Sequence, residues 1–350
     1  MRAVVFHGKE DLRVQDIAEP APGPGQVKLR NAYAGICGSD LHVYYAPAEA
    51  GLDLEHPHPL TGATLPQVLG HEFAGTVVEL GEGVEGVTVG DRVAVWPIYN
   101  CGQCAACRKG AFNACRTIGF HGLTSHGGGM AEFTTVDASK LHVLPESVDL
   151  RLGALVEPMA VAWHAVEKSG VKAGGTALIA GAGPIGVGVW FALKGHGVEN
   201  VIVSEPSPVR RAAVEALGAT VVDPTSEDLA ARVAELTNGD GVDVAFDAAG
   251  VGVAVASALA NLAPLGRVVV VALHERTMEF FPTQLVMGET EIVGALGYLP
   301  EDFDAVIAAM ADGLYDTTGW VDEVGFDAVE ETIHALRSGK GMKFLVSSEA

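Results

Sequence analysis

The first 150 residues carry short strand-like stretches separated by turns. Alternating or compact apolar runs occur at AVVF (3–6), QVKLRNAYA (26–34), FAGTVVELG (73–81), DRVAV (91–95) and AEFTTV (131–136). Gly- and Pro-rich loops divide them, among them APGPG (21–25) and HPHPLTGATLP (56–66). From about residue 155 the texture changes. Short apolar strands alternate with helical patterns: ALIA (177–180) and a helix, VIVS (201–204) and the helical PVRRAAVEALG (208–218), VDVAFDAAG (242–250) and a helix, then RVVVVAL (267–273). That alternation is the mark of βαβ units and a parallel sheet. After EIVGALG (291–297) two helical stretches are expected near 301–312 and 327–338, and KFLV (343–346) closes the pattern as a strand. The expectation is an α/β protein of two domains, since 350 residues suffice for two cores.

Composition narrows the partners. Twenty-two basic against 44 acidic residues give a net charge of -22, a field that repels nucleic acid and anionic lipid. No apolar run reaches the roughly 18 residues of a membrane span, and the charged start MRAVVFHGKEDLRVQD does not read as a signal peptide. A soluble cytoplasmic protein is expected, in which thiols stay reduced. An anionic ligand would need a local site, such as a helix N-terminus, working against the global field.

The cysteines then give the chemistry. Four of the five lie in CGQCAACRKGAFNAC, with Cys101, Cys104, Cys107 and Cys115 spaced C-x2-C-x2-C-x7-C. Four thiolates around one ion form the closed tetrahedral site of structural zinc. An iron–sulfur cluster is the competing reading, because ferredoxins also begin C-x2-C-x2-C; the seven-residue gap and the missing proline after Cys115 weigh against it. Cys37 in GICGSDLH, His71 and Glu72 in LGHEFAG, and Glu157 in VEPMAVAWH form a second set suited to zinc. A catalytic zinc takes three protein ligands and keeps one position open. Singly, each residue has an ordinary structural reading: core packing for Cys37, a satisfied turn for His71, a helix-start charge for Glu157.

A third motif follows the strand ALIA. GAGPIG (181–186) is G-x-G-x-x-G and should open a helix, as a dinucleotide site requires. Gly181 would allow the tight turn, Gly183 the approach of the pyrophosphate and Gly186 close helix–strand packing, with Pro184 and Ile185 between them. Glu205 follows the next strand, where an acid binds ribose hydroxyls and repels a 2′-phosphate; this favours NAD. Arg210 and Arg211 pull the other way, since a nearby arginine can accommodate NADP.

Cys37, GHE at 70–72, the four-cysteine loop, VEP at 156–158 and GAGPIG, in that order, resemble the zinc-containing medium-chain alcohol and polyol dehydrogenase family over essentially the whole chain. The resemblance implies a GroES-like β-rich catalytic domain (1–155 and 296–350) and a Rossmann doubly wound parallel-sheet domain (156–295). It implies two zinc ions per chain, NAD, a small-molecule alcohol or diol substrate and a closed homo-oligomer, dimer or tetramer. Liver-type members use a second cysteine as third catalytic ligand; here Glu157 stands at that position, which keeps the site's charge at zero. Glu72 is the alternative ligand, as in sorbitol dehydrogenases, and the two can exchange. By the same resemblance Ser39 touches the substrate oxygen, His42 takes the proton at the solvent end and Asp40 orients His71. HPHPLTGATLPQVLGHEFAG, GFHGL and GGGMAEF resemble the branch that interconverts (R,R)-2,3-butanediol and acetoin. A sorbitol-type polyol or L-threonine dehydrogenase is the alternative within the class. A non-catalytic zinc and nucleotide-binding protein is the alternative outside it, and a zinc-free quinone reductase would need neither zinc set.

Overall fold

The computed structural model describes residues 1–47 and 56–348. The chain divides into two units: Met1–Glu157 with Leu299–Asp312 and Val321–Ala350, and Pro158–Tyr298 with Gly313–Trp320.

The first unit is built on a seven-stranded sheet. Its strands run in the order Leu141–Val143, Arg92–Val95, Glu72–Leu80, Gln26–Gly35, Lys343–Ser347 and Val321–Gly325, with Phe133–Asp137 also pairing Gln26–Gly35. Inward positions supply its core, including Val27, Leu29, Phe73, Val77, Val93, Val95 and Val346, all at 1% exposure or less. Central position decides function here. Gln26–Gly35 lies between Glu72–Leu80 and Lys343–Ser347, and Gly35 is opposite both Glu72 and Leu345. A smaller sheet joins Asp11–Asp16, Arg2–Gly8 and Gln67–Val68. A two-stranded pair, Ile98–Tyr99 with Gly119–Phe120, closes the base of the cysteine loop.

The expected strand runs of this unit all form. The helix Gly38–Tyr45 and the strands Asp11–Asp16 and Val321–Gly325 have no clear signal in the hydrophobic pattern. The helix is short, and Cys37 with Asp40 forms a capping box at its start.

The second unit carries a six-stranded parallel sheet in the order Thr220–Val222, Asn200–Ser204, Thr176–Ala180, Val242–Asp247, Leu262–Val270, Glu291–Gly294. Numbered along the chain this is 3-2-1-4-5-6, the doubly wound order whose ligand crevice opens where the strand order reverses. Near-continuous apolar strands such as ALIA are explained by this: a parallel sheet covered by helices buries both faces. The segment Gly313–Trp320, which the sequence reading leaves with the first domain, belongs to the second unit. Its Tyr315 ring packs against Phe191 with centroids 4.9 Å apart. No described helix is long and apolar enough to cross a membrane.

The cysteine loop is buttressed by a buried polar cluster. His121 is fully buried; its Nε2 lies 2.8 Å from Thr134 Oγ1, and its Nδ1 lies 3.2 Å from both Ser125 Oγ and the Tyr99 hydroxyl. Lys140 sits over the rings of Trp96 and Tyr99, 4.8 and 4.2 Å from their centroids. Burial pulls the His121 pKa down to about 3, and the Lys140 charge acts in the same direction. The unfolded chain titrates near the usual value of about 6.5, so it takes up a proton that the folded state refuses. The stabilising contribution is complete above that pH. It falls by up to about 1.4 kcal/mol per unit as the pH drops towards 3. Urea unfolding across pH 7 to 4 should therefore show a loss that His121→Gln flattens; equal slopes in the two proteins would contradict the assignment.

Candidate active site and metal centres

In the cysteine loop, Sγ–Sγ separations are 3.5 Å for Cys104–Cys107, 3.6 Å for Cys101–Cys115 and 4.0 Å for Cys101–Cys107. Four sulfurs at about 2.3 Å from a tetrahedral zinc would stand about 3.8 Å apart, so the loop fits the ion. All four thiols are free of disulfides. Backbone N–H groups of Cys101 and Cys104 donate to Cys115 and Cys101 sulfurs at 3.3 Å, as thiolates require. The backbone N–H groups of Cys107 and Arg116 pull the Cys104 pKa down to about 6, whereas burial and the neighbouring thiols push Cys107 up. A shared cation resolves that opposition by taking the place of the protons. The four thiols fill a tetrahedral shell, so this site has no position left for a substrate.

The second set is assembled from two strand ends and one helix. Donor atoms of Cys37, His71 and Glu72 lie within 4.8 Å of one another. Cys37 follows the central strand and caps the helix Gly38–Tyr45, while His71 immediately precedes the strand that Glu72 begins. The Cys37 N–H donates to Asp40 Oδ2 at 2.8 Å, and Asp40 Oδ1 faces His71 Nδ1 at 3.6 Å. Ser39 Oγ lies 3.1 Å from His71 Nε2. Asp40 thus orients both the thiol's backbone and the imidazole, leaving Nε2 on the side of the other donors. His71 Nδ1, Asp40 Oδ1 and Glu72 Oε1 are buried with no hydrogen-bond partner. A thiolate, an imidazole and a carboxylate so placed form a donor set that zinc accepts.

Electrostatics at this set favour a cation. Burial pushes the Cys37 thiol up, and the Glu72 charge adds to it. Burial works to lower His71, but Asp40 and Cys37 outweigh it and hold the imidazole well above its usual pKa. A metal entering here must displace protons from both ligands. Glu157 lies in the first turn of the helix Val156–Ser169, is 6% exposed, and is not among the three mutually close donors. Its charge is felt by Lys343, which also donates to Glu72 Oε2. His42 is half-buried one turn after Ser39 on the same helix.

The second unit holds a cavity of about 680 Å³ lined by Gly181, Gly183, Glu205, Arg210, Ala248 and Val251 among others. Gly181 has φ +102°, a conformation that side chains resist. A Cβ at Gly186 would overlap the Gly181 carbonyl, so only glycine lets helix Pro184–Gly195 start there. A Cβ at Gly183 would meet nothing within 4 Å, which leaves room for a ligand to approach the backbone. Pro184 occupies the first turn and Ile185 follows it, half-buried. Glu205 is buried at 3% exposure, with its carboxylate accepting from the N–H of Ala182 at 2.7 Å and of Ser207 at 2.8 Å. Arg211 is occupied: it donates to the Glu205 and Pro206 carbonyls and pairs with Asp223 at 3.0 Å. Arg210 lines the cavity, and its buried Nε has no partner. The cradle fits a dinucleotide.

Comparison with known proteins agrees with this geometry. Residues 23–146 match the alcohol dehydrogenase GroES-like domain, and residues 184–312 match the zinc-binding dehydrogenase domain. The chain is 41% identical over 350 residues to (R,R)-butanediol dehydrogenase of Bacillus subtilis (strain 168), covering 99% of each. It belongs to the zinc-containing medium-chain alcohol dehydrogenase family. The crystal structure of 2R,3R-butanediol dehydrogenase from Bacillus subtilis superposes with a TM-score of 0.91 at 40% identity, covering 99% of both chains. An alcohol dehydrogenase of Escherichia coli CFT073, solved with the cofactor NADH, superposes at 0.87 with 28% identity and 99% coverage of both.

Lys343 is the medium-chain dehydrogenase residue that sequence reasoning missed. It opens a short terminal strand, where a lysine reads as a solvent-facing residue, and only the sheet order brings it to Glu72. The two cysteine sites make separable predictions. Cys104→Ser should lose one zinc per chain and destabilise the fold by several kcal/mol, the scale of a lost metal site. Cys37→Ser should lose the other zinc and remain folded, with a smaller fall in its unfolding midpoint than Cys104→Ser. Metal analysis with urea unfolding reads both, and unchanged zinc in Cys104→Ser would contradict the loop assignment.

Proposed function

We propose that this dehydrogenase interconverts (R,R)-2,3-butanediol and acetoin, using NAD and one catalytic zinc, with a second zinc in the Cys101/Cys104/Cys107/Cys115 loop. The observation that carries the reading is the buried Glu72 beside Cys37 and His71, with a second buried acid, Glu157, whose charge reaches the same Lys343. One acid completes the metal shell, and the sequence position favours Glu157. The other is then available to the second oxygen of a vicinal diol or hydroxyketone. The 41% identity to a butanediol dehydrogenase over 99% of the chain supports the same substrate.

The chain's own residues bind, orient and move a proton. Cys37, His71 and a carboxylate hold the metal; Asp40 keeps the imidazole in the ligating orientation. Bound zinc supplies the Lewis acidity that lowers the pKa of an alcohol hydroxyl, and bound NAD accepts the hydride. Ser39, 3.1 Å from His71 Nε2, stands where it can take the hydroxyl proton. His42, one helical turn further on, passes it towards solvent as a proton-accepting imidazole.

The cofactor reading rests on Glu205. Its buried carboxylate stands at the end of the second strand of the sheet, where a 2′-phosphate would be repelled. Arg211 is committed to Asp223, which leaves Arg210 as the cation facing the cavity. A homo-oligomer is supported by exposed apolar side chains near the edge strand Glu291–Gly294: Phe281 at 68%, Val286 at 73% and Met287 at 81%. Five free thiols suit a reducing, cytoplasmic setting.

A substrate panel tests the proposal: (R,R)-2,3-butanediol, its stereoisomers, 2-butanol, sorbitol and L-threonine, each with NAD and NADP. The diol should exceed 2-butanol in kcat/KM by roughly tenfold or more, because an unsatisfied buried polar group costs about 1–3 kcal/mol. NAD should be preferred. Equal efficiency on 2-butanol would reduce the protein to a general secondary alcohol dehydrogenase, and higher efficiency on sorbitol or threonine would replace the butanediol reading.

A further inference from the structure

Glu72 is held by a partner that comes from the far end of the chain. Lys343 Nζ donates to Glu72 Oε2 and to the Ile36 carbonyl, the latter at 3.0 Å. Both side chains of the pair are 1% exposed. The two residues sit on strands that flank the same central strand, whose last residue, Gly35, is opposite Glu72 on one side and Leu345 on the other. The pair meets across Gly35 because that residue has no side chain. A Cβ there would overlap Glu72 Oε2 and stand 2.9 Å from Lys343 Nζ. The glycine, the lysine and the glutamate therefore form one unit, although Gly35 and Lys343 lie 308 positions apart in the sequence.

Charge gives the unit a task. A Cys37 thiolate with the Glu72 and Glu157 carboxylates carries three negative charges, one more than a zinc ion offsets. Lys343 feels all three groups. An ammonium among them offsets the one these three leave over, and a buried charge left uncompensated is strongly disfavoured. Charge balance alone could be met by a lysine anywhere nearby. Here it grips one specific oxygen, and the other oxygen of Glu72 has no hydrogen-bond partner.

We propose that Lys343 is a positioning residue for the metal site: by holding one oxygen of Glu72 it keeps that carboxylate a displaceable neighbour of the zinc, so that the fourth position stays open to substrate. This rests on the reading of Cys37, His71 and a carboxylate as the catalytic zinc ligands. Without the lysine, Glu72 is free to turn its full charge to the ion and close the shell.

The test measures zinc release to a chelator from the purified holoenzyme, with the four-cysteine zinc as internal reference, alongside kcat and KM. Lys343→Met should release its catalytic zinc about tenfold more slowly, the value of one charge-assisted bond, and should lose kcat more than KM. Adding Glu72→Gln to that variant should restore the wild-type release rate, and Lys343→Arg should resemble the wild type. Faster or unchanged release in Lys343→Met, with no response to Glu72→Gln, would overturn the proposal. Where Lys343→Met fails to fold, Glu72→Gln alone decides. With Lys343 in place it should keep its zinc at the wild-type release rate, and loss of the metal would show Glu72 to be an obligatory ligand. The underlying site reading fails separately, if Cys37→Ser retains both zinc ions.

Discussion

A thiol, an imidazole and three carboxylic acids are concentrated in one buried region of the first unit, and the electrostatic cost of that concentration governs what surrounds it. Isolated buried charges are expensive, and a low-dielectric site tolerates them only when paired and hydrogen-bonded. Each acid here has an assigned relation: Asp40 to the Cys37 backbone and the His71 ring, Glu72 to Lys343, Glu157 to the field of the same lysine. The chain is strongly acidic overall, so no diffuse positive field helps. The compensation has to be local: one lysine and, in this family, a zinc ion.

The sheet makes that compensation possible. Adjacent strands are about 4.8 Å apart, so side chains on the two strands that flank Gln26–Gly35 are separated by twice that distance unless the middle strand offers no side chain. Gly35 supplies that opening, and long side chains on either side close it. The cysteine loop solves a different problem. Its four thiols are local in sequence, its base is closed by a two-stranded pair, and its four sulfurs would by themselves fill a tetrahedral shell. The two centres therefore differ as a brace differs from a site of chemistry. The second unit follows its own rule, with the Gly181–Gly186 turn placed at the reversal of strand order, where a parallel sheet opens its crevice.

What was legible in the sequence was local. The cysteine spacing, the glycine motif after ALIA and the long strand runs depend on residues close in the chain, and their geometry follows from spacing alone. Cys37, His71 and the two acids Glu157 and Glu72 were legible only as a combination. Three features were not. Lys343 has no meaning until the last strand is known to lie beside the strand ending at Gly35. Arg211 looks as able to meet a phosphate as Arg210 until Asp223 is found to hold it. Gly313–Trp320 sits between a helix and a strand of the first unit, and only the packing of Tyr315 on Phe191 assigns it to the second. Which acid completes the metal shell is likewise a question of three-dimensional competition: the sequence position favours Glu157, while Glu72 is the acid among the three close donors.

The central claim is that one chain holds two zinc ions in unlike shells, one closed by thiolates and one mixed and open. X-ray absorption at the zinc edge, recorded on the holoenzyme and on Cys37→Ser, reads this directly. The account predicts a mixture of sulfur and lighter ligands in the wild type that becomes an all-sulfur shell, at about 2.3 Å, when Cys37 is removed. A spectrum that keeps its nitrogen and oxygen ligands in Cys37→Ser, or one that shows sulfur alone in the wild type, would contradict it.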